Sequence, residues 1–184
     1  MRVLTLATLD SLPRARVLAR SLRAHQPDWT HEVVLVAGEE VVAAAAESDQ
    51  TLRVRAAASE LDLDVEALLA LHDEHELIAL LAPALLAHSA KRVSEPVLHL
   101  PSTIWVLADL QPIESALSSH SVLLAPRVTA EVPEDGLEPS RSQLDRAGRM
   151  DEAIIGVDGS PESRRFLEWW SDHVEQALGS LDAR

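Results

Sequence analysis

The chain has 184 residues, of which 47% are hydrophobic and 25% charged, a composition typical of one globular domain with a substantial core. Its 30 acidic residues against 16 lysines and arginines give a formal net charge of −14, which disfavours binding to nucleic acids and to anionic membranes. It contains no cysteine, which excludes disulfides, thiolate ligands and cysteine nucleophiles, and no apolar run reaches the roughly 20 residues of a membrane-spanning helix.

The first 37 residues are predicted to form a strand, a helix and a second strand. Residues 2–8 are apolar and rich in β-formers. Ser11 is a suitable N-cap, Pro13 is tolerated in a first helical turn, and apolar residues then recur at helical spacing until Pro27. Residues 32–37 are the second buried strand. Two strands joined by a helix form a βαβ unit, whose right-handed crossover makes the strands parallel.

The rest of the chain continues to alternate between extended and helical patterns. The extended segments that we predict are residues 51–56, 96–100, 104–108, 122–126 and 153–157. The helices that we predict are residues 41–46, 65–71 after an Asp64 cap, 74–91, 112–118 and 161–178 after a Ser160 cap. Pro83 is expected to kink or restart the long helix, and the polar segment 132–148 is expected to be a loop.

Strands that alternate with helices predict a mostly parallel sheet with helices on both faces. We therefore expect a three-layer α/β/α fold in which residues 1–184 form a single domain. Ligands of such sheets bind at the carboxyl ends of the strands. This rule directs attention to segments 8–11, 37–40 and 100–103.

A resemblance to a known family runs over nearly the whole chain and is most specific at its two ends. The opening reads TLATLDSLPRARVLARSLRAHQPDW, and a later segment reads RAGRMDEAIIGVDGSPESRRFLEWW. They are similar to the opening strand and helix, and to the closing segment, of bacterial GT-A-type glycosyltransferases, the nucleotide-diphospho-sugar transferases. Weaker similarity is carried by EVVLVAGEE, ELIALLAPALLAHSAKRVSEPVLHL and HSVLLAPRVTAEVPEDG. The resemblance implies a GT-A-like fold that binds a nucleotide-sugar donor.

The chain departs from that family where the family binds its metal ion. There the strand that resembles residues 97–100 is followed by Asp-x-Asp, whose carboxylates hold Mn²⁺ or Mg²⁺ against the donor diphosphate. Here Pro101, Ser102 and Thr103 stand in those positions, and none is a carboxylate. Ala82 replaces the family's inner-helix lysine. Because the acidic motif is replaced, we expect no metal and no other cofactor. The resemblance also stops before the family's acceptor-binding part.

The candidate contacts to the nucleotide-sugar come first from the end of the opening strand. Thr5, Ala7, Thr8 and Leu9 are candidates for the nucleotide-base pocket, the alternative being that they are strand core and turn. Arg14 and Arg16 are candidates for neutralising the diphosphate in place of a metal, because arginine makes bidentate contacts with phosphate. The alternative for these arginines is a solvated helix face.

Three further candidates stand where the family has its functional motifs. Ser102 and Thr103 occupy the metal-binding positions and can hydrogen-bond a phosphate or a sugar; the alternative is a turn between extended segments. Asp151 stands at the start of the segment that replaces the family's Asn-x-Gly motif. No residue is assigned a catalytic role.

Other polar and aromatic features have simpler structural explanations. The run HDEHE at 72–76 places two histidines at spacing suited to Zn²⁺, but the HExxH pattern is absent and an inter-helix turn is favoured. Trp169 and Trp170 can stack on a sugar, but at least one is expected in the core. An acidic segment can position an acceptor or act as a base, with a solvated loop as the favoured alternative. Its residues are Glu131, Glu134, Asp135 and Glu138.

Three function classes remain open. The first is metal-independent transfer of a sugar from a nucleotide-sugar donor. The second, favoured by the missing carboxylates, is a non-catalytic pseudo-glycosyltransferase that serves as an interaction or regulatory domain, with a protein or a downstream domain as partner. The third is a generic α/β binding domain, although no P-loop, dinucleotide-binding fingerprint or nucleophile elbow is present. The opening residues do not read as an export signal, so we expect a cytoplasmic location.

Overall fold

Six strands form one mixed sheet in the part of the chain that the structure, a computed structural model, describes. That part comprises residues 1–133 and 135–179, with residue 152 and residues 175–179 described by their backbone alone. The strands are β1 (Arg2–Ala7), β2 (Thr30–Leu35), β3 (Arg53–Ala56), β4 (Val97–His99), β5 (Val122–Pro126) and β6 (Met150–Val157). Their order across the sheet is β3-β2-β1-β4-β6-β5.

The sheet is mostly parallel, as the sequence pattern predicts. β1 pairs in parallel with β2 on one side and with β4 on the other, and β2 pairs in parallel with β3. β6 is the reversed strand and runs antiparallel to both β4 and β5. The chain therefore builds outward from β1 to β3 and then returns to the opposite side of β1. The gap between the carboxyl ends of β1 and β4 is the topological switch point, where ligands of such sheets bind.

Eight helices are present among the described residues, and seven of them contribute buried side chains. They are α1 (Leu12–His25), α2 (Glu39–Ser48), α3 (Ala57–Leu61), α4 (Val65–Leu71), α5 (Glu74–Arg92), α6 (Gln111–Leu117), α7 (Arg141–Ala147) and α8 (Pro161–Gly179). α1, α2 and α6 pack on one face of the sheet, and α3, α4, α5 and α8 pack on the other. The three-layer α/β/α prediction is confirmed. None of these helices is long and apolar enough to cross a bilayer.

The alternation of β1 divides its side chains between the two layers. Leu4 and Leu6 are fully buried in the cluster that α5 and α8 complete. Val3 and Ala7 are fully buried against α1 and the helices beside it. Burying one such leucine contributes roughly 1.5–3 kcal/mol to folding. β1 is covered on both sides, which holds the switch point at a fixed place.

Pro83 does not restart the long helix, so the prediction of a restart is wrong; the predicted kink stays a prediction. α5 runs from Glu74 to Arg92 as one element, with Pro83 buried inside it. A capping box between Asp73 and Glu76 stabilises its start. The helix packs on β1, β4 and α8, and this tertiary packing outweighs the hydrogen bond that proline removes.

Three other segments differ from the sequence prediction, and the first is α3 (Ala57–Leu61), which was not predicted. Residues 104–107 are irregular and belong to no strand, because Val106 N–H donates to Ser21 Oγ (3.1 Å) on α1 instead of to a neighbouring strand. The segment 132–148, predicted to be a loop, contains α7. Ser140 and Gln143 form its capping box, a signal present in the sequence. α7 has no buried residue, so it lacks the apolar stripe by which helices are usually recognised.

The predicted helix starts have mixed outcomes. Asp64 caps α4 by accepting a hydrogen bond from Ala67 N–H (3.1 Å), and Ser160 accepts one from Ser163 N–H (3.2 Å) at the start of α8. Ser11 precedes α1 as predicted, but its hydroxyl accepts from Thr8 N–H (2.9 Å) and caps no first-turn N–H. Ser11 therefore fixes the turn that leaves β1.

Candidate functional site

A cleft of about 430 Å³ opens beside the switch point, at the carboxyl end of β4 and the start of β6. Five parts of the chain contribute to it: the start of α1, the first turns of α5, the connection from β4 to α6, the residue after β5, and the start of β6. Its lining residues are Arg14, Glu74, His75, Ile78, Ala79, Ala82, Pro101, Ser102, Thr103, Ile104, Arg127, Asp151, Ala153 and Ile154. We call it the switch-point cleft.

Four of the candidate contacts that the sequence suggests lie together in this cleft. They are Arg14, Ser102, Thr103 and Asp151. Ala82, at the place of the family's inner-helix lysine, lies in the same lining. These positions are far apart in the chain, so their convergence is a property of the fold. Their binding role stays a prediction.

The other four candidates lie elsewhere. Thr8 and Leu9 line a separate groove at the carboxyl ends of β1 and β2. Thr5 and Ala7 are fully buried, and Thr5 Oγ1 donates a hydrogen bond to Leu100 O (2.9 Å). Strand alternation turns both side chains into the layer beneath α1, so neither lines the cleft or the groove. They are core residues, which is the structural alternative to a role in the base pocket.

Charges of both signs face the switch-point cleft. Arg14 Nη2 donates to Glu74 Oε2 at 2.9 Å, and Thr8 Oγ1 donates to Glu74 Oε1 at 3.3 Å. Arg127 Nε donates to Met150 O at 3.0 Å, which holds this guanidinium against the start of β6. Two arginines therefore offset Glu74 and Asp151 in the cleft, whereas the chain as a whole carries a charge of −14. The cleft is a more favourable place for an anion than most of the surface.

The positions of the family's metal-binding carboxylates form a turn in the cleft wall. Ile104 N–H donates to Pro101 O at 3.1 Å, and Ser102 is buried while Thr103 is exposed. These residues offer at most two neutral hydroxyl groups, which are poor ligands for a divalent metal. No three His, Asp or Glu residues in the described part of the chain come together to hold a metal ion. The residues present do not fit the family's metal.

The HDEHE run is the junction between α4 and α5, as the favoured interpretation has it. His72 ends α4, while Asp73 and Glu76 form the capping box of α5. His72 Nδ1 lies 3.5 Å from Glu76 Oε2. Glu74 and His75 face the switch-point cleft from the first turn of α5. The sequence drew attention to this run for zinc binding, but its contribution to the cleft is one carboxylate and one imidazole.

Two residues near the cleft were missed by sequence reasoning. Arg127 directly follows β5, and its only sequence signal is a basic residue at the end of a strand. His99 lies on β4, fully buried, with Nδ1 2.7 Å from Ala153 O. Because a carbonyl only accepts, Nδ1 carries the proton and Nε2 does not. Burial lowers the pKa of His99 to about 4 and keeps the ring neutral.

The bond from His99 compensates for a proline. Extending the pairing of His99 with Ile155 by two residues would set Ala153 opposite Pro101, which has no N–H to donate. The imidazole supplies the missing hydrogen bond to the Ala153 carbonyl. His99 thereby holds the part of β6 that lines the cleft, and it does so from within the core. The sequence signal for this bond is a single histidine within an otherwise apolar predicted strand.

The remaining aromatic and acidic candidates lie away from the switch-point cleft. Trp170 packs against the core below α8, as expected for at least one of the pair, whereas Trp169 is half-exposed and contacts Phe166 and His173. The acidic residues Glu131, Asp135 and Glu138 are exposed on a loop. Glu134 lies outside the described residues.

The sequence matches no protein-family model and no curated protein. Solved structures do match. The galactosyltransferase LgtC, in complex with donor and acceptor sugar analogues, aligns with a TM-score of 0.60 and 15% identity over 96% of this chain and 66% of its own length. An active-site mutant of LgtC aligns with a TM-score of 0.54 and 15% identity over 95% of this chain and 65% of its own length.

A second glycosyltransferase shows the same relationship. GlyE from Streptococcus pneumoniae TIGR4 aligns with a TM-score of 0.50 and 13% identity over 100% of this chain and 38% of its own length. This chain thus spans about two thirds of LgtC and less than half of GlyE. Sequence identities this low support a shared fold and nothing further. The chain has the mixed α/β fold of GT-A-type glycosyltransferases.

Proposed function

We propose that this chain binds a nucleotide-sugar in the switch-point cleft without a divalent metal, and that it lacks the metal-dependent transfer activity of the family. The observation that carries the proposal is the pair of arginines, Arg14 and Arg127, in a cleft whose family metal positions hold no carboxylate. The fold likeness to glycosyltransferases supplies the class of ligand.

The diphosphate is the part of the ligand that needs compensation. With no metal to neutralise its charge, the guanidinium groups take that role through paired hydrogen bonds. Arg14 and Arg127 reach the cleft from α1 and from the end of β5, so a phosphate bound between them is held from two sides. In the proposed complex, Ser102 and Thr103 would donate hydroxyl hydrogen bonds to a phosphate or a sugar, and Asp151 would accept one from a sugar hydroxyl.

The test is a thermal titration with UDP-, GDP-, dTDP- and CDP-sugars, each with and without Mn²⁺. A ligand at about 100 times its Kd adds about 2.7 kcal/mol to the free energy of unfolding, which raises Tm by several degrees. We expect one donor to raise Tm equally with and without Mn²⁺. Failure of every donor to change Tm would contradict the proposal.

Variants separate the cleft from the rest of the surface. Arg14→Gln and Arg127→Gln each remove one guanidinium from the cleft and should weaken donor binding. Arg165→Gln is the matched control, because Arg165 is exposed on α8 and pairs with Glu162 at 2.9 Å. The control should bind the donor like the unaltered chain. Equal losses in all three variants would place the binding site elsewhere.

The second candidate is a non-catalytic interaction domain. The observation that favours it is the Arg14–Glu74 ion pair, in which a carboxylate of the chain itself already pairs with the Arg14 guanidinium. Hydrolysis of the donor, followed over hours with and without Mn²⁺, distinguishes the candidates. Metal-independent release of free sugar supports an active site, whereas donor binding without any release supports a binding domain.

A further inference from the structure

A cavity of about 280 Å³ lies at the amino ends of β2 and β3, on the edge of the sheet opposite to the switch-point cleft. Its walls come from the last turns of α1, the loop between α1 and β2, and the turn before β3. We call it the amino-end pocket. It shares no lining residue with the cleft. Arg23 of the pocket follows Arg14 of the cleft by nine residues on α1, a rise of about 13 Å, so the two cavities are separate.

Two arginines with unused hydrogen-bond donors line the amino-end pocket. Arg23, in the last turn of α1, donates from Nη2 to Thr51 O at 2.7 Å. Its Nε and Nη1 form no hydrogen bond with a described residue. Arg53, the first residue of β3, is exposed, and its side chain forms neither an ion pair nor a hydrogen bond within the part of the chain that the structure describes. Both guanidinium groups therefore have donors available for a ligand.

Acidic side chains only partly offset this positive charge. Asp28 lines the pocket, but it is exposed and pairs with neither arginine. Glu32 follows His31 in the chain, yet its side chain lies on the opposite face of the sheet, where Arg2 and Arg55 hold it. One carboxylate thus faces two guanidinium groups, on a chain whose net charge is −14. The pocket is a locally favourable place for an anion.

His31 adds a buried acceptor to the lining. Its Nε2 lies 3.0 Å from Thr5 Oγ1, and because Thr5 donates its own proton to Leu100 O, Nε2 carries the ring proton. Nδ1 is then an acceptor, is shielded from solvent, and forms no hydrogen bond with a described residue. Burial and the charge of Arg23 lower the pKa of His31 to about 4, which keeps the ring neutral. A buried acceptor without a partner is uncommon and calls for a donor.

We propose that the amino-end pocket binds a phosphate group, either as the free hydrogen phosphate ion or on a small phosphorylated molecule. Arg23 and Arg53 would contact the negative oxygens from two walls. A hydroxyl of the ligand would donate to His31 Nδ1 after a small movement of the side chains that shield this atom. A volume of about 280 Å³ is below that of pockets for drug-sized ligands and suits an ion or a single sugar phosphate. This inference does not depend on nucleotide-sugar binding in the cleft.

The lining predicts a preference for phosphate over sulfate. Near neutral pH sulfate is a dianion without a proton, whereas phosphate carries the same or a smaller negative charge together with at least one hydroxyl. Charge alone would therefore favour sulfate or bind the two ions equally. A preference for phosphate reports the acceptor that His31 provides.

Nuclear magnetic resonance of the ¹⁵N-labelled chain tests the proposal. Sodium phosphate, sodium sulfate and glucose 6-phosphate are titrated separately at neutral pH and constant ionic strength, while the peaks of residues 26–31 and 51–53 are followed. We expect saturable shifts with phosphate, including those of the His31 ring nitrogens, and about fivefold weaker binding of sulfate. Tighter binding of glucose 6-phosphate than of phosphate would identify a phosphorylated small molecule as the ligand, and the reverse order would identify the free ion.

Arginine variants locate the bound ion. Arg23→Gln and Arg53→Gln each remove one guanidinium and should weaken phosphate binding about tenfold, because hydrogen bonds to charged groups are strong. Arg53→Gln breaks no described hydrogen bond or ion pair, so it stays informative if loss of the bond from Arg23 to Thr51 disturbs the fold. Arg20→Gln is the matched control, since Arg20 is exposed on the same helix outside the pocket lining. The control should bind phosphate like the unaltered chain, and circular dichroism confirms that each variant is folded.

Three results would overturn the proposal. Shifts that do not saturate, or equal losses in the Arg20→Gln and Arg53→Gln variants, would show a general attraction to surface arginines. Binding of sulfate that equals or exceeds that of phosphate would remove the assignment of the ligand. Loss of the phosphate response in Arg14→Gln or Arg127→Gln, with Arg53→Gln unaffected, would place the ion in the switch-point cleft.

Discussion

Arg14 Nη2 on α1 lies 2.9 Å from Glu74 Oε2, the carboxylate of the first residue of α5. Both side chains line the switch-point cleft and are partly exposed, so the ion pair contributes at most about 1 kcal/mol to folding. In the proposed complex, Glu74 competes with the ligand phosphate for the Arg14 guanidinium. A phosphate that contacts Arg14 would share or displace this hydrogen bond.

Glu74→Gln is therefore expected to tighten nucleotide-sugar binding. Loss of an exposed ion pair worth up to about 1 kcal/mol corresponds to an affinity gain of about two- to fivefold. Calorimetric titration measures the gain. The control is Glu162→Gln, which breaks the similar 2.9 Å pair with Arg165 on the exposed side of α8. Weaker binding in Glu74→Gln than in the control would contradict competition and would show that Glu74 positions Arg14 for the ligand.

Restoring the family's carboxylates should restore a response to metal. Pro101→Asp with Thr103→Asp places two carboxylates at the turn beside the cleft, where Mn²⁺ can bridge them to a diphosphate. We expect the double variant to bind a nucleotide-sugar more tightly with Mn²⁺ than without it, unlike the unaltered chain. Pro101→Asn with Thr103→Asn has nearly the same shape without the charge and is the control. A double aspartate variant that ignores Mn²⁺ would show that the turn itself differs from a metal-binding one.

Glu32 is expected to be the carboxylate on which stability depends most. It is buried on β2 and accepts 2.6 Å hydrogen bonds from both Arg2 and Arg55. Glu32→Ala would leave two guanidinium groups beside the core without their shared partner, at a cost of about 3 kcal/mol. This is the low end of the usual range because Arg2 keeps Glu95 and Arg55 keeps Glu60.

Urea denaturation measures this cost as a lower midpoint with an unchanged slope. The control is Glu162→Ala, which removes an exposed carboxylate and should change the free energy of unfolding by less than about 0.5 kcal/mol. Equal effects of the two substitutions would show that the cluster around Glu32 is as weak as a surface ion pair.

The buried His99 and the partly buried His31 should make the chain less stable in mild acid. The pKa of His99 is lowered to about 4 by burial, and the pKa of His31 is lowered to about 4 by burial and by the nearby charge of Arg23. The unfolded histidines bind a proton near the ordinary pKa of 6.5, so between pH 6.5 and pH 4 the unfolded state binds more protons. The free energy of unfolding therefore decreases as the pH is lowered from 6.5 to 4, by about 3 kcal/mol for each histidine.

Denaturation midpoints between pH 7.5 and pH 4 measure this slope. His31 Nε2 lies 3.0 Å from Thr5 Oγ1, and since Thr5 gives its proton to a carbonyl, the ring nitrogen donates. His31→Gln and His99→Gln keep a donor but cannot take up a proton, so each should flatten the pH dependence. The exposed His173→Gln is the control. A slope that neither His31→Gln nor His99→Gln changes would show that carboxylates alone cause the acid sensitivity.

The sequence by itself determined the layers and the alternation of this fold. β5 was located to the residue and α5 to within one, because apolar periodicity records which face of each element is buried. Capping residues such as Asp64 fixed helix starts by local hydrogen bonds. The departure of residues 101–103 from the family's acidic motif was likewise visible in the sequence, because it depends on residue identity alone.

Tertiary structure decided the rest. The reversal of β6 was invisible because side-chain periodicity is the same in both strand directions. Burial of Thr5 and Ala7, the pairing of Arg14 with Glu74, and the bond from His99 to Ala153 each join segments that are distant in the chain. Such contacts depend on which strands are neighbours and on which side of them the helices pack. A pattern within one segment records only that segment's own buried face, so the lining of the cleft and the groove had to come from the assembled fold.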